Sequence, residues 1–163
     1  MSIILFRVDE RLIHGQVVVG WGSVIAPDQI IVVDDEIAES AWERELYSIG
    51  LPPEIEAHFH TIEEARQLID EWRADDRRTI LLTRDIRAMR RLAEGGLLEG
   101  EEINLGGLHA APGRVEVLPY LYLSPDERAE LLELHSTGAI PSARDLPRTR
   151  SVPLTEILEG RLG

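Results

Sequence analysis

Short apolar runs alternate along the chain with longer stretches whose apolar residues recur at helical spacing. The runs with the length and composition of strands are residues 3–6, 29–33, 55–59, 79–82, 103–105 and 115–123. The stretches with helical spacing or helix caps are residues 15–26, 37–49, 61–72, 84–92 and 125–135. Because helical crossovers join parallel neighbours in a sheet, this order predicts an α/β fold. We expect three layers: an open, twisted, mainly parallel sheet with helices on both faces.

The pattern is less regular in the last third of the chain. We expect a last strand to begin at residues 139–140 and a short C-terminal helix over residues 152–158. Pro119 interrupts the extended segment 115–123, and a proline cannot donate to a ladder of hydrogen bonds inside a sheet. That segment is therefore not expected at the centre of the sheet.

Length and composition exclude several classes of protein. The 163 residues suit one hydrophobic core and are few for two, so we expect residues 1–163 to form a single domain. The absence of cysteine excludes disulfides, thiolate metal sites and a cysteine nucleophile. A formal net charge of −13 argues against nucleic-acid binding. Without a long apolar run or a signal peptide, the sequence predicts a cytoplasmic location.

A charged segment at positions 7–17, Arg-Val-Asp-Glu-Arg-Leu-Ile-His-Gly-Gln-Val, follows the first predicted strand and leads into the first predicted helix. In α/β proteins such a junction binds phosphate groups, because the N–H groups at the start of the helix point at the anion. His14 lies in this segment, and a neutral imidazole is a good nucleophile at neutral pH. His14 is therefore the candidate phosphoryl acceptor.

The residue types near His14 suit a phosphoryl group in transfer. Guanidinium groups and the N–H groups at a helix start stabilise the negative charge on its oxygens. The candidates are Arg7, Arg11 and the backbone amides of Gly15 and Gln16. Asp9 is expected to orient either the imidazole ring or an arginine.

Alternative interpretations remain open for these residues. His14 and Asp9 can also be a structural histidine and a turn residue at the end of the strand. Arg7 can instead form an ion pair with Asp34 or Asp35, which follow the second predicted strand.

Other histidines and glycines have competing interpretations as well. Gly106-Gly107 allows close approach of a phosphate or of backbone, and a plain tight turn explains the pair equally well. His109 nearby is expected to be a surface residue. His58 and His60 alternate on one strand face without a third ligand at suitable spacing, so no metal site is expected.

The segment 7–17 closely resembles the phosphorylation loop of the IIB component of the mannose/fructose/sorbose class of the sugar phosphotransferase system. Glu10 stands where that family usually has aspartate. A second block at positions 103–107, Ile-Asn-Leu-Gly-Gly, is similar to another segment of the family, and Pro112-Gly113-Arg114 follows in the expected order. The resemblance spans essentially the whole chain and implies a sheet of seven strands.

The resemblance also implies a function. His14 would accept a phosphoryl group from a phosphohistidine of the IIA component and pass it to a sugar held by the membrane components IIC and IID. Arg11 would bind the phosphoryl group and Asp9 would orient the site. The other expected phosphate-binding residues are Arg7, Gly15, Gln16, Gly106 and Gly107. No cofactor is implied. The chain would lie at the inner face of the membrane through its partners, and a homo-oligomer is compatible with this picture.

Two other functions compete with this one. Histidine phosphatases and mutases also use a phosphohistidine after a first strand, but they have arginine directly before it, where this chain has Ile13. They need a second histidine too, and only His109 is a candidate. The remaining alternative is a regulatory phospho-switch that is fed by the same relay and binds a partner without transporting sugar.

Overall fold

The computed structural model describes residues 2–159. In chain order its strands are β1 (Ile3–Val8), β2 (Gln29–Val33), β3 (Glu56–His60), β4 (Thr79–Thr83), β5 (Glu102–Leu105), β6 (Val115–Leu118), β7 (Leu121–Leu123), β8 (Ile140–Ala143) and β9 (Val152–Pro153). Seven of them form one sheet in the order β3-β2-β4-β1-β5-β8-β9. All neighbours in this sheet are parallel except β8 and β9. The predicted α/β fold with a mainly parallel sheet is confirmed.

Helices cover both faces of the sheet. A π-helical segment, Gln16–Trp21, continues directly into α1 (Gly22–Ile25), and the two together are called the first helix below. The others are α2 (Asp35–Ala38), α3 (Ala41–Ile49), α4 (Ile62–Ala74), α5 (Ile86–Ala93), α6 (Pro125–Ser136) and α7 (Leu154–Glu159). The first helix, α2 and α3 pack on one face, and α4 to α7 pack on the other.

The central strands are apolar on both sides because each face has its own core. In β4, Ile80 and Leu82 pack with the first helix, whereas Leu81 packs with α4 and α5. Neighbouring β2 alternates in the same way and is buried along its whole length. Such continuous apolar runs are typical of strands buried between two helical layers.

Capping boxes set the starts of two helices, α4 and α6. The side chain of Thr61 accepts a hydrogen bond from the amide of Glu64, and the side chain of Glu64 accepts one from the amide of Thr61. Ser124 and Glu127 form the same reciprocal pair at the start of α6. Each box satisfies N–H groups that the first helical turn leaves without partners.

The predicted helix over residues 37–49 is wrong in its extent, because the structure has two helices there. The carboxylate of Asp34 caps α2 by accepting a hydrogen bond from the amide of Ile37. The chain is extended at Ser40, whose hydroxyl accepts from the amide of Glu43 and starts α3. Serine competes with a continuous helix by bonding nearby backbone, which explains the break.

Two further elements differ from the prediction. The segment 115–123 is not one strand but the antiparallel hairpin of β6 and β7, which lies outside the seven-stranded sheet. Pro119 lies in the turn of that hairpin, where its missing N–H costs nothing. The predicted helix over 152–158 begins only at Leu154, because Val152–Pro153 pairs with β8.

The parallel arrangement brings several loops to one edge of the sheet. Val8, at the carboxyl end of β1, pairs with Thr83 of β4 and with Leu105 of β5. The residues that follow these three strands therefore meet at this carboxyl edge. In open α/β sheets this is the edge where ligands bind.

Candidate functional site

The loop after β1 makes a tight turn that is anchored at both ends. The amide of Asp9 donates to the carbonyl of Thr83 at 3.0 Å, and the amide of Leu12 donates to the carbonyl of Asp9 at 2.9 Å. Leu12 has a positive φ of 55°, a conformation that a bulky residue rarely adopts. Its side chain is fully buried in the core under the first helix, and that burial holds the strained backbone in place.

His14 follows this turn with both ring nitrogens directed into the protein. Its Nδ1 lies 2.8 Å from the carbonyl oxygen of Leu12. A carbonyl can only accept, so Nδ1 carries the proton and Nε2 carries the lone pair in the neutral ring. Nε2 is buried, has no hydrogen bond and lies 3.7 Å from Oδ2 of Asp9.

The surroundings of His14 favour its neutral form. Burial lowers the pKa of His14 below its ordinary value of 6.5, and the positive charges of Arg11 and Arg7 act in the same direction. The Leu12 carbonyl and the Asp9 carboxylate oppose this shift without cancelling it. A neutral imidazole is the nucleophilic form, so the surroundings of His14 favour that form at pH 7.

Asp9 is the centre of the hydrogen-bond network. Its Oδ1 accepts from the amide and Nε of Arg11, at 3.1 and 3.2 Å. Its Oδ2 accepts from Nη2 of Arg7 at 3.0 Å and from the amide of Gly107 at 3.2 Å. Burial by itself would raise the pKa of Asp9, but the Arg11 hydrogen bonds and the charge of Arg7 outweigh it and lower that pKa. Asp9 is therefore a buried carboxylate ion.

Arg7 lies beneath Asp9 and has no exposed surface. Besides the bond to Asp9, its Nη1 donates to the side-chain oxygen of Asn104 and to the carbonyl of Arg144, the latter at 2.9 Å. Its Nη2 also donates to the carbonyl of Asp145 at 3.1 Å. The guanidinium packs over the ring of Trp21, with Cζ 5.3 Å from the ring centroid.

The alternative partners suggested for Arg7 are wrong. Asp34 pairs with Arg84 at 3.4 Å, and Asp35 pairs with Arg91 at 3.4 Å. Arg7 instead forms its ion pair with Asp9.

Arg11 is the exposed cation of the loop. Its side chain is 34% exposed, whereas Arg7 and Asp9 are fully buried. Its Nη2 donates to the side-chain oxygen of Gln16 at 2.7 Å and to Oδ2 of Asp9 at 3.3 Å. Gln16 and Asp9 thus hold the guanidinium beside His14 and facing solvent. Gly15 has helical backbone angles and open space around its α-carbon, so it adds no bulk beside the ring.

The two glycines after β5 make room for the two arginines. A Cβ on Gly106 would lie 2.2 Å from Nη2 of Arg7, and one on Gly107 would lie 2.7 Å from Nη2 of Arg11. Their amides are already engaged: Gly106 donates to the carbonyl of Val8 at 2.8 Å, and Gly107 donates to Asp9. The glycines therefore shape the site through space rather than through free N–H groups.

A second network borders the site and neutralises another arginine. Glu10 accepts hydrogen bonds from the amide of His109 and from Nη1 of Arg114, the latter at 3.1 Å. Arg114 also pairs with Glu127 at 2.7 Å. The side chain of His109 is 46% exposed, with Nδ1 3.3 Å from the Glu10 carboxylate.

All eight residues proposed from the sequence lie around this carboxyl edge, and the structure adds others. Sequence reasoning missed Asn104, Trp21 and the carbonyls of residues 144 and 145 as partners of Arg7. Asn104 carried a signal, because asparagine is unfavourable inside a strand. Backbone carbonyls carry none.

Within the described range, residues 2–159, no cluster of side chains is suited to a metal ion. His58 contacts Glu56 and His60 contacts Glu64, and residues 2–159 hold no group of three or more potential metal ligands. Among the helices of that same range, none is both long and apolar enough to cross a membrane.

Comparison with known proteins gives consistent matches over the chain. A family model described as "PTS system sorbose subfamily IIB component" matches residues 3–161. An N-acetylgalactosamine-specific phosphotransferase enzyme IIB component of Escherichia coli is 30% identical over 153 residues, which cover 90% of this chain and 92% of that protein. The sorbose-specific EIIB component of Lacticaseibacillus casei is 28% identical over 158 residues, covering 97% and 94%. The IIBSor domain of the Klebsiella pneumoniae sorbose permease superposes with a TM-score of 0.86 at 26% identity, covering 100% of both chains.

Proposed function

This chain belongs to the sorbose subfamily of IIB components of the phosphotransferase system, and on that premise we propose that His14 is the residue that carries its phosphoryl group. A IIB component of this class accepts phosphate from IIA and transfers it to a sugar at IIC and IID. The observation that carries the assignment of His14 is a neutral imidazole beside the Asp9 carboxylate, which also binds the partly exposed Arg11, at the carboxyl edge of the sheet. The finer roles below are part of this proposal.

The transfer exchanges one nitrogen–phosphorus bond for another. A lone pair on the His14 ring attacks phosphorus in line while the bond from phosphorus to the donor histidine of IIA breaks. The donor imidazole leaves as a neutral ring with its own lone pair, so no net proton transfer is needed. Delivery to the sugar forms a phosphorus–oxygen bond while the bond from phosphorus to the His14 nitrogen breaks. The imidazole leaves as a neutral ring, and the hydroxyl proton leaves to a base on the acceptor side.

The ring of His14 has to turn before it can react. Nδ1 is bonded to the Leu12 carbonyl, and Nε2 is buried against Asp9. An in-line attack needs an open path to the lone pair, so one nitrogen must leave its inward contact. The side chain is 15% exposed, which places part of the ring at the surface where a donor can approach.

We assign different roles to the two arginines. Arg11 is exposed beside His14 and is the cation proposed to contact the phosphoryl oxygens, together with the amides of Gly15 and Gln16 at the helix start. Arg7 and the glycines at 106 and 107 are proposed to act indirectly. Arg7 fixes Asp9 from below, and the glycines leave space for both guanidiniums.

The remaining parts of the proposal follow from the family. We propose that residues 1–163 act as one IIB-type domain, with IIA as donor and IIC and IID as the sugar-binding acceptors. The same membership supports a place at the cytoplasmic face of the membrane, reached through these partners. The names of the relatives refer to sugars rather than to regulation, which favours a transport carrier over a regulatory switch.

Intact-mass measurement tests the assignment of His14. The wild type is incubated with phosphoenolpyruvate, the general relay proteins and a IIA component, and we expect an acid-labile gain of one phosphoryl group. His14→Ala should gain nothing while keeping the fold, because the His14 side chain lies outside both hydrophobic clusters of the core. His109→Ala is the matched control, since it removes a neighbouring histidine and should still be phosphorylated. Phosphorylation of His14→Ala would refute the assignment.

A further inference from the structure

The two longer helical elements on one face of the sheet expose apolar side chains to solvent. Residues 2–159 have nine large apolar side chains that are exposed. Five of them lie on the first helix and on α3: Val19, Val24, Trp42, Leu46 and Ile49. The four helices on the opposite face expose only Leu132 among such residues. The exposed apolar side chains of the helices are therefore concentrated on the face that the first helix and α3 cover.

Trp42, Leu46 and Ile49 form a stripe along α3, which is called the α3 stripe below. Their exposed fractions are 68%, 57% and 75%. The spacing i, i+4, i+7 puts the three side chains on one side of a helix. The helix has no buried residue and contacts the core mainly through the half-buried Tyr47. A contiguous apolar surface of this kind is typical of a protein-binding site.

The α3 stripe begins at the same edge of the sheet as His14. α3 connects the parallel strands β2 and β3 and runs back along the sheet, so its first residues lie at the carboxyl edge. β2 is separated from β1 by β4 alone, which gives a lateral offset of about 10 Å between β1 and β2. Leu12 and Ile13 pack in the same core as the first helix, which places the His14 loop toward this face. One partner can therefore cover Trp42 and reach His14.

The charges beside the α3 stripe decide which partner fits. Glu36, Glu39 and Glu45 are exposed and form no ion pair with any residue of the described chain. An anionic lipid surface would be repelled by these carboxylates. If a second copy of this chain docked on the same stripe, the two Glu45 carboxylates would both lie at one apolar contact and repel each other. A segment with both apolar and basic residues satisfies the apolar side chains and the carboxylates together.

We propose that the α3 stripe is the docking surface for a basic, apolar cytoplasmic segment of the IIC/IID membrane components. Cytoplasmic loops of membrane proteins carry an excess of Lys and Arg, which supplies the complementary charge. The inference rests on the proposed function, because it takes the sugar-binding acceptor as the partner. It assigns a surface and a partner chemistry that the phosphorylation loop alone does not define.

A flotation experiment tests the docking surface. A IIC/IID pair of the sorbose subfamily is reconstituted in vesicles of neutral phosphatidylcholine, and the bound fraction of the chain is measured against vesicle concentration. We expect Leu46→Asp to weaken binding at least about tenfold, because an interface apolar anchor is replaced by a charge. Leu132→Asp is the matched control: its leucine is 52% exposed on α6, on the opposite face, and binding should not change.

Reversal of the charge at Glu45 gives a second test of the docking surface. Glu45→Arg should weaken binding several-fold and reduce its dependence on salt, because it removes an attraction to the basic segment. Glu133→Arg on α6 is its control and should bind like the wild type. Phosphoryl acceptance from IIA should be the same for all four variants, since none of the substitutions touches the His14 loop.

Several outcomes would overturn the docking proposal. One is a wild type that does not float with the IIC/IID vesicles, and another is equal loss of binding in Leu46→Asp and Leu132→Asp. Flotation of the wild type with protein-free phosphatidylglycerol vesicles, abolished by Leu46→Asp, would assign the stripe to the membrane. A wild-type dimer in sedimentation that Leu46→Asp dissociates would assign it to a second copy. Failure of the proposed function is separate, because it shows as a wild type that takes no phosphoryl group from IIA.

Discussion

Replacing Gly106 by alanine tests whether the site depends on a guanidinium that is fixed in place. The added Cβ would lie 2.2 Å from Nη2 and 2.3 Å from Cζ of Arg7. Ordinary contacts between such atoms are about 3.5 Å, so the guanidinium would have to move by more than about 1 Å. Arg7 is fully buried among Asp9, Asn104 and two carbonyls, and a shift of that size breaks hydrogen bonds from a charged group.

The expected cost follows from the bonds that are lost. A hydrogen bond to a charged group contributes about 1.5–3 kcal/mol, so losing two of them costs about 3–6 kcal/mol. That is a large part of the free energy of unfolding of a domain, which is about 5–15 kcal/mol. We therefore expect Gly106→Ala to unfold at much lower urea concentration, with its free energy of unfolding reduced by this amount.

The assay is equilibrium urea unfolding followed by circular dichroism, with Gly15→Ala as the matched control. Gly15 is also a loop glycine of the site, but it has helical backbone angles and no atom within 4 Å of a built Cβ. Its replacement should change the free energy of unfolding by less than about 0.5 kcal/mol. If Gly106→Ala is as stable as Gly15→Ala, the conclusion that Arg7 is held rigidly under Asp9 is incorrect.

Three further predictions concern phosphoryl acceptance. Gly107→Ala places its Cβ 2.7 Å from Nη2 of Arg11, whose side chain is 34% exposed and can move. Phosphoryl acceptance should therefore slow several-fold, and the free energy of unfolding in urea should fall by only about 1 kcal/mol. Arg11→Ala should slow acceptance about 100-fold in a quenched time course, because one fixed cation is lost from the transferring group, and a rate equal to the wild type would remove Arg11 from the mechanism. Because burial lowers the pKa of His14 below 6.5, its acceptance rate should rise with pH only below that value and be level from pH 7 to 8. A rate that still climbs from pH 7 to 8 would contradict a lowered pKa.

Much of the fold could be predicted because local patterns agree with it. The buried strands β2 and β4 are continuous apolar runs in the sequence, and the caps at Thr61 and Ser124 mark helix starts. Errors arose where one side chain redirects the backbone locally. Ser40 ends one helix and starts another, an outcome that apolar spacing across residues 37–49 does not reveal.

The same distinction applies to the candidate site, where some features follow from the local sequence and others depend on distant residues. Residues 7–17 can be selected as candidates from the sequence because the segment is contiguous and its residue types suit phosphoryl chemistry. Which arginine is buried is not visible, since Arg7 and Arg11 are the same residue type four positions apart. The pleat of β1 directs the side chain of Arg7 into the protein, where it is buried and contacts Asn104. The turn after β1 leaves the side chain of Arg11 partly exposed. Those directions depend on β5 and on residues 144 and 145, far away in sequence.

The charge balance of the site suits the role proposed for His14, which would have to give its phosphoryl group away again. Around His14 the cations Arg7, Arg11 and Arg114 are matched by the carboxylates Asp9, Glu10 and Glu127. These formal charges sum to zero. The proposed contact of Arg11 with a phosphoryl group would therefore come without a large surplus of positive charge. A strongly cationic pocket would hold the phosphorylated state and slow delivery, because stabilising that ground state raises the barrier to leaving it. Neutralisation of Arg114 by two carboxylates is therefore consistent with the proposed carrier, which has to release the phosphoryl group that it accepts.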